Sequence, residues 1–150
     1  VRIAFLTTAA TASASEININ AMHAWAEVAI VGSDTYGKPV GQLAFDLGNA
    51  CTDRLRLVTF KTVNADGVGD YYEGLASSMT FACAADDTLG AAMGDPADSL
   101  TQAALQWINT GACASVIGSS FAGQAKTSPS SQYPPSRQPS VVERWFPGVQ

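Results

Sequence analysis

The sequence predicts an α/β fold, on three observations. Residues 1–6 (VRIAFL) form an apolar, strand-like run, residues 13–27 carry apolar side chains at helical spacing, and residues 28–31 (VAIV) form a short, continuously apolar run. Strand–helix–strand alternation of this kind builds a sheet with helices packed on it. Two such strands are too few for a complete layered enzyme, so further strands are expected before residue 1 in a longer parent protein.

The elements follow in order. After the first strand, residues 7–11 are a turn of small residues, and Ser13, Ala14, Ser15 and Glu16 open a helix running to about residue 27. Its apolar positions are Ile17, Ala21, Ala24 and Trp25. Gly32 closes the second strand, a loop spans 33–39, and a further strand lies around 40–45. Residues 54–63 (RLRLVTFKTV) alternate polar and apolar, the period of a half-buried strand. Residues 64–70 (NADGVGD) are a turn or loop. Asp95 caps a second helix with Pro96 at its first position; Leu100, Ala104 and Ile108 keep helical spacing until Gly111 stops it. From residue 114 the composition shifts to Ser, Pro, Gly and Gln. The chain therefore divides into 1–113 and a Ser/Pro-rich, flexible 114–150, in which Trp145 and Phe146 offer a docking point.

Composition excludes several function classes. With 47% hydrophobic and 14% charged residues the chain is globular in class. Its net charge is −5, and eight Lys and Arg lie scattered without a basic stripe, which argues against nucleic acid as a partner. No apolar run approaches the roughly 18 residues of a spanning helix. Cys51, Cys83 and Cys113 contain no CxxC, and the one histidine, His23, is distant from all three in sequence, so no metal site is expected. Three cysteines permit at most one internal disulfide and one free thiol, and buried reduced cysteines are an equal reading. Arg2, the apolar residues 3–6 and Ala12, Ser13 and Ala14 mimic a short signal peptide, but four apolar residues fall short of the seven or so such a segment uses. A truncated chain fits better.

The chemistry centres on the junction at Ser13. A strand runs into a tight turn and then a helix, which sets a hydroxyl beside free backbone N–H groups and the positive end of the helix dipole. That suits a nucleophile whose tetrahedral intermediate must be stabilised. A serine needs a base within hydrogen-bond reach. His23 lies ten residues along the same helix, roughly 15 Å away at 1.5 Å per residue. Lys38 is the better candidate, because the strand 28–31 returns the chain and the following loop can reach the serine. Lysine acts as a base only when neutral, so it must be buried enough to lower its pKa, with Tyr36, Pro39 and Val40 as apolar cover. Taken singly, each residue has a plain structural reading. Ser13 and Glu16 make a capping box, Lys38 is a solvated turn lysine, and His23 is a surface or packing residue.

Their combination is more specific. Thr-Ala-Ser-Ala-Ser-Glu at 11–16 is followed by Val-Gly-x-x-Thr-Tyr-Gly-Lys at 31–38, and this pair of motifs resembles the catalytic segment of the carboxyl-terminal-processing (tail-specific, S41) peptidases. In that family the first serine of the Ser-Ala-Ser-Glu run is the nucleophile. The lysine closing the Thr-(Tyr/Phe)-Gly-Lys motif follows it by 25 residues, as Lys38 follows Ser13 here.

The resemblance implies a ClpP/crotonase-type core represented by its C-terminal portion, and a serine endopeptidase that needs no cofactor or metal. It implies that Glu16 helps to organise Lys38 and that the Ala14 N–H forms half of the oxyanion hole. The other donor, the first half of the core and a substrate-recruiting PDZ domain are expected upstream in the parent protein. The partner is a protein or peptide substrate. Gly69 to Leu75 and the stretch from Leu89 to Pro96 look like one branch of the family, whose members carry cysteines at places like Cys51 and Cys83. Relatives of this kind are mostly exported to a periplasmic or extracellular space, which makes a Cys51–Cys83 disulfide plausible. The alternative from another class is a catalytically incomplete remnant that serves only as a binding or structural piece. A small secreted interaction protein with a true signal peptide is a third reading.

Overall fold

The computed structural model of the chain describes residues 1–48, 53–88, 90–92 and 94–118. Cys51, Leu89 and the segment 119–150, with Trp145 and Phe146, lie outside the described residues. The described part has mixed α/β content with one parallel and one antiparallel sheet.

The parallel sheet has the order β1 (Arg2–Thr7), β2 (Glu27–Gly32) and β5 (Phe81–Ala84). Between β1 and β2 runs α1 (Ala14–His23), and after β5 comes α2 (Ser99–Thr110). Strand β2 is central, and its residues 28–32 are all buried. Successive side chains point to opposite faces. Val28 and Ile30 accordingly pack with Ile19 of α1, Tyr71 and Leu75, while Ala29 and Val31 pack with Cys83 and with Ala104 and Trp107 of α2. A strand covered on both faces reads as a continuous apolar run, which is why residues 28–31 were legible as a strand.

Both helices differ from expectation. Helix α1 ends at His23, four residues early, because β2 must begin at Glu27 to pair with Arg2. Its buried residues are Glu16, Ile19 and Asn20, whereas Trp25 is 82% exposed and Ile17 lies at the surface. Helix α2 is capped by Asp98, whose carboxylate accepts from the Thr101 N–H at 2.9 Å and the Thr101 hydroxyl at 3.0 Å. Asp95 caps a preceding turn instead, accepting from the Ala97 N–H at 2.9 Å. Leu100, Ala104 and Trp107 form the packed stripe of α2, and Ile108 falls outside it. Gly111, in the left-handed conformation at φ 76°, ends α2 as expected. Arg2 ties this end to the sheet, donating to the Ile108 carbonyl at 2.9 Å and to Glu27 at 3.3 Å.

Strand β5 was not foreseen. Its outer edge pairs antiparallel with residues 115–117: the Ala84 N–H donates to the Ser115 carbonyl at 2.9 Å, and the Ile117 N–H to Ala82 at 2.8 Å. This pairing brings Cys113 beside Cys83, at a Cα–Cα distance of 5.1 Å, and the two form a disulfide. A Cys51–Cys83 bridge is thereby overturned, since Cys83 is already bonded.

The antiparallel sheet is a hairpin of β3 (Val40–Leu47) and β4 (Asp53–Lys61). The alternation in residues 54–63 does mark a strand, but not a half-buried one, because every residue of β4 is exposed.

Among the described residues, no helix is long and apolar enough to cross a membrane.

The disulfide closes a loop with a sequence separation of 30 residues. By the chain-entropy relation such a closure is worth about 3–4 kcal/mol. Reduction, or Cys113→Ser, should lower the unfolding free energy by about that amount. Urea unfolding with and without reductant measures it, and an unmoved midpoint would show that the cross-link does not hold β5.

Candidate active site

The carboxyl ends of parallel strands are where α/β sheets present their ligand sites. At that edge Thr7 ends β1 and Gly32 ends β2, directly opposite each other. The buried Thr7 hydroxyl donates to the Ser33 carbonyl at 2.7 Å, and the Ser33 N–H returns a bond to the Thr7 carbonyl at 3.1 Å. Gly32, at φ 127°, is required here: a Cβ would come within 2.2 Å of the Thr7 carbonyl oxygen. From this point one chain leads through residues 8–12 to Ser13, and the other through 33–37 to Lys38. The Tyr36 N–H, donating to the Thr11 carbonyl at 2.8 Å, joins the two loops.

Ser13 is the N-cap of α1 and has φ 54° and ψ −112°. Among the described residues it is the one non-glycine position with positive φ. A backbone held there costs on the order of 1–3 kcal/mol and persists only where the surroundings over-determine it. Ala14 follows as the first residue of α1, where N–H groups have no intrahelical acceptor.

Glu16 supplies the determining contact. Its side chain is fully buried and accepts three backbone N–H groups: Ser13 at 2.8 Å, Gly37 at 2.6 Å and Lys38 at 2.9 Å. The Ser13 and Lys38 amides meet on the same oxygen, Oε2. Two residues far apart in sequence thus stand at adjoining positions. Glu16 serves in the capping-box relation with Ser13 and also holds the Lys38 loop.

The expected burial of Lys38 is not found. In the loop 33–39 Thr35 and Pro39 are buried, while Tyr36 is 48% exposed and Lys38 is exposed as well. At Gly37, whose φ is 88°, the loop turns the consecutive amides of Gly37 and Lys38 onto Glu16, while the Lys38 side chain is exposed. His23 sits at the far end of α1, with Nε2 3.4 Å from the Thr80 hydroxyl.

Several supporting residues escaped sequence reasoning. The Asp34 carboxylate accepts from the N–H groups of Thr35 at 2.7 Å and Ala76 at 2.9 Å, and the Thr35 hydroxyl accepts from Leu75 at 2.9 Å. These bonds fasten the segment 74–76 beneath the Lys38 loop. Gly74 and Gly37 allow the approach: a Cβ on Gly74 would meet the Asp34 carboxylate at 2.3 Å, and one on Gly37 the Tyr72 carbonyl at 2.2 Å. Asn64 organises the loop foreseen at 64–70, accepting from the N–H groups of Asp66 and Val68 and donating to Asn20 of α1 at 3.1 Å. Among the described residues no group of three His, Cys, Asp or Glu could hold a metal.

Residues 1–74 match the family described as Peptidase family S41. Residues 1–74 belong to peptidase family S41. This S41 segment includes Ser13, Glu16 and Lys38, and it reaches Gly74 at the floor of the loop. S41 members are serine peptidases, and so hydrolases. No curated protein and no solved structure matches the chain.

Removing the carboxylate in Glu16→Ala would leave three amides without an acceptor in a buried position. With about 1–3 kcal/mol for each unsatisfied group, a loss of about 3–5 kcal/mol is expected, some of the deficit being met by entering water. Urea unfolding gives the loss, and amide exchange at Gly37 and Lys38 should accelerate most. A loss below about 1 kcal/mol would show that other contacts hold the loop.

Tyr71 packs in the same core as Ile19 and Val28. Burial pushes its phenol above the usual 10.0; the Thr62 hydroxyl at 3.5 Å opposes the shift, and the negative Glu16 adds to it. Folding therefore favours the neutral phenol. This contribution is fully present below about pH 10 and is lost as pH rises through the higher folded value. Tyrosinate absorbance should show one tyrosine ionising after the others, together with falling stability. Simultaneous titration of all the tyrosines would contradict the placement.

Proposed function

We propose that this chain is the serine-bearing part of a carboxyl-terminal-processing endopeptidase with a ClpP/crotonase-type core. It hydrolyses peptide bonds through an acyl-enzyme. The Ser13 hydroxyl attacks the substrate carbonyl, and neutral Lys38 takes the proton. The Ala14 N–H, at the positive end of α1, supports the developing oxyanion. The Lys38 ammonium then protonates the leaving amine, and water hydrolyses the acyl-enzyme. The observation that carries this reading is the Glu16 carboxylate, which draws the amides of Ser13 and Lys38 onto a single oxygen. The strained backbone at Ser13 supports it, because outliers of this kind gather at functional sites.

The exposure of Lys38 favours a second reading. In this reading the chain carries the motif but lacks the cover that would activate it, and it acts as a binding or structural piece. Export to an oxidising compartment belongs to either version, and the Cys83–Cys113 disulfide supports it.

Hydrolysis of an unstructured protein such as casein separates the two. Ser13→Ala and Lys38→Ala should each lower turnover by about 10³-fold or more, with an unchanged far-ultraviolet dichroism spectrum. A parent chain without activity would select the second reading. Activity that survives both substitutions would overturn the dyad.

A further inference from the structure

Lys38 is followed by Pro39, and the chain is held on that side as well. Pro39 is fully buried and lies opposite Thr62, one step beyond the Val40–Lys61 pair that begins the hairpin. Opposed residues at such a rung normally exchange two backbone bonds. Proline has no N–H to give, so this rung keeps one of them, from the Thr62 N–H to the Pro39 carbonyl at 2.8 Å. The Thr62 hydroxyl supplies a second, donating to the same carbonyl at 3.0 Å.

A hydroxyl has a single proton, and here Pro39 takes it. In its other contact, with the Tyr71 hydroxyl at 3.5 Å, Tyr71 is therefore the donor. Tyr71 is 1% exposed, and a buried phenol needs a partner for its hydroxyl, which among the described residues is Thr62. Gly69 permits the approach, since a Cβ there would come within 2.4 Å of the Thr62 carbonyl oxygen. Tyr71 also packs with Ile19 of α1 and Val28 of β2. The contacts thus run from the core through Tyr71 and Thr62 to the carbonyl that follows Lys38.

We propose that Thr62 is a positioning residue for Lys38, the rear counterpart of Glu16. The proposal rests on the Ser13–Lys38 reading given above. Glu16 holds the Gly37 and Lys38 amides in front, and Thr62 holds the Pro39 carbonyl behind. Between them the proline ring fixes its own φ and keeps the residue before it extended. The Lys38 Cα is then fixed from both directions, and its amine reaches Ser13 by turning side-chain torsions alone. Thr62 acts only through the backbone of Lys38.

The test uses the whole chain, with casein as substrate, and the variant Thr62→Val, which keeps the shape and the N–H but removes the hydroxyl. It should lower kcat about 10-fold, the scale of a small misplacement of a reacting group, with KM changed less than about 2-fold. Thr62→Ser should restore kcat, because it returns the hydroxyl without the methyl. Amide hydrogen exchange on the same samples needs no turnover. In Thr62→Val, Lys38 and position 62 should exchange about 5-fold faster while β1 and β2 keep their protection. Equal kcat in the wild type and Thr62→Val would overturn the proposal. So would a loss that Thr62→Ser does not recover, or one accompanied by faster exchange throughout the sheet. A wild-type chain without turnover strikes the Ser13–Lys38 reading, and exchange alone then decides on the clamp. Acceleration confined to Lys38 and position 62 supports it, and unchanged exchange there overturns it.

Discussion

The described structure turns on one buried carboxylate. An ionised or strongly polar group taken out of water is tolerated only when hydrogen bonds replace its hydration. Glu16 meets that condition with three backbone N–H groups from two separate segments, the start of α1 and the loop after β2. The need to satisfy one acceptor thus decides where a loop 22 residues away must lie. The strained backbone of Ser13 follows from the same constraint, because its N–H must point at Glu16 while its chain enters the helix.

Around this centre the parallel sheet acts as a rigid platform. The central strand β2 is sealed on one side by α1 with Tyr71 and Leu75, and on the other by α2 with Trp107. Thr7 and Gly32 then fix the point at which the two loops depart. Beneath the Lys38 loop, Asp34 and Thr35 repeat on a smaller scale what Glu16 does above it, accepting backbone N–H groups from the segment 75–76. Side-chain acceptors hold irregular backbone in place where no strand ladder can reach it.

What was legible in the sequence followed the physics of each element. Strand β2 was readable because it is apolar on both faces, and Gly111 because only a left-handed residue ends α2 so sharply. Motif and spacing brought out Ser13, Glu16 and Lys38, although no local property singles them out. The buried face of α1 was misread because two of its three buried residues, Glu16 and Asn20, are polar. Their burial is set by partners in distant loops, which periodicity cannot register. Asp98 was overlooked for Asp95 because the two look alike as caps, and only the bond to Thr101 separates them. The pairing of Cys83 depended on β5 and residues 115–117, a short strand and a shorter partner that carry no periodic signal.

The clamp also bears on the order in which a ribosome delivers the chain. Every group that meets on Glu16 lies between residues 13 and 38, and the loop that must close is short, so its entropic cost is modest. The sheet matures later: β5 arrives at residue 81, and the strand that covers its edge only at 115–117. The clamp itself spans only residues 13–38, whereas the far side of its platform is joined through segments much further along the chain, α2 and the disulfide.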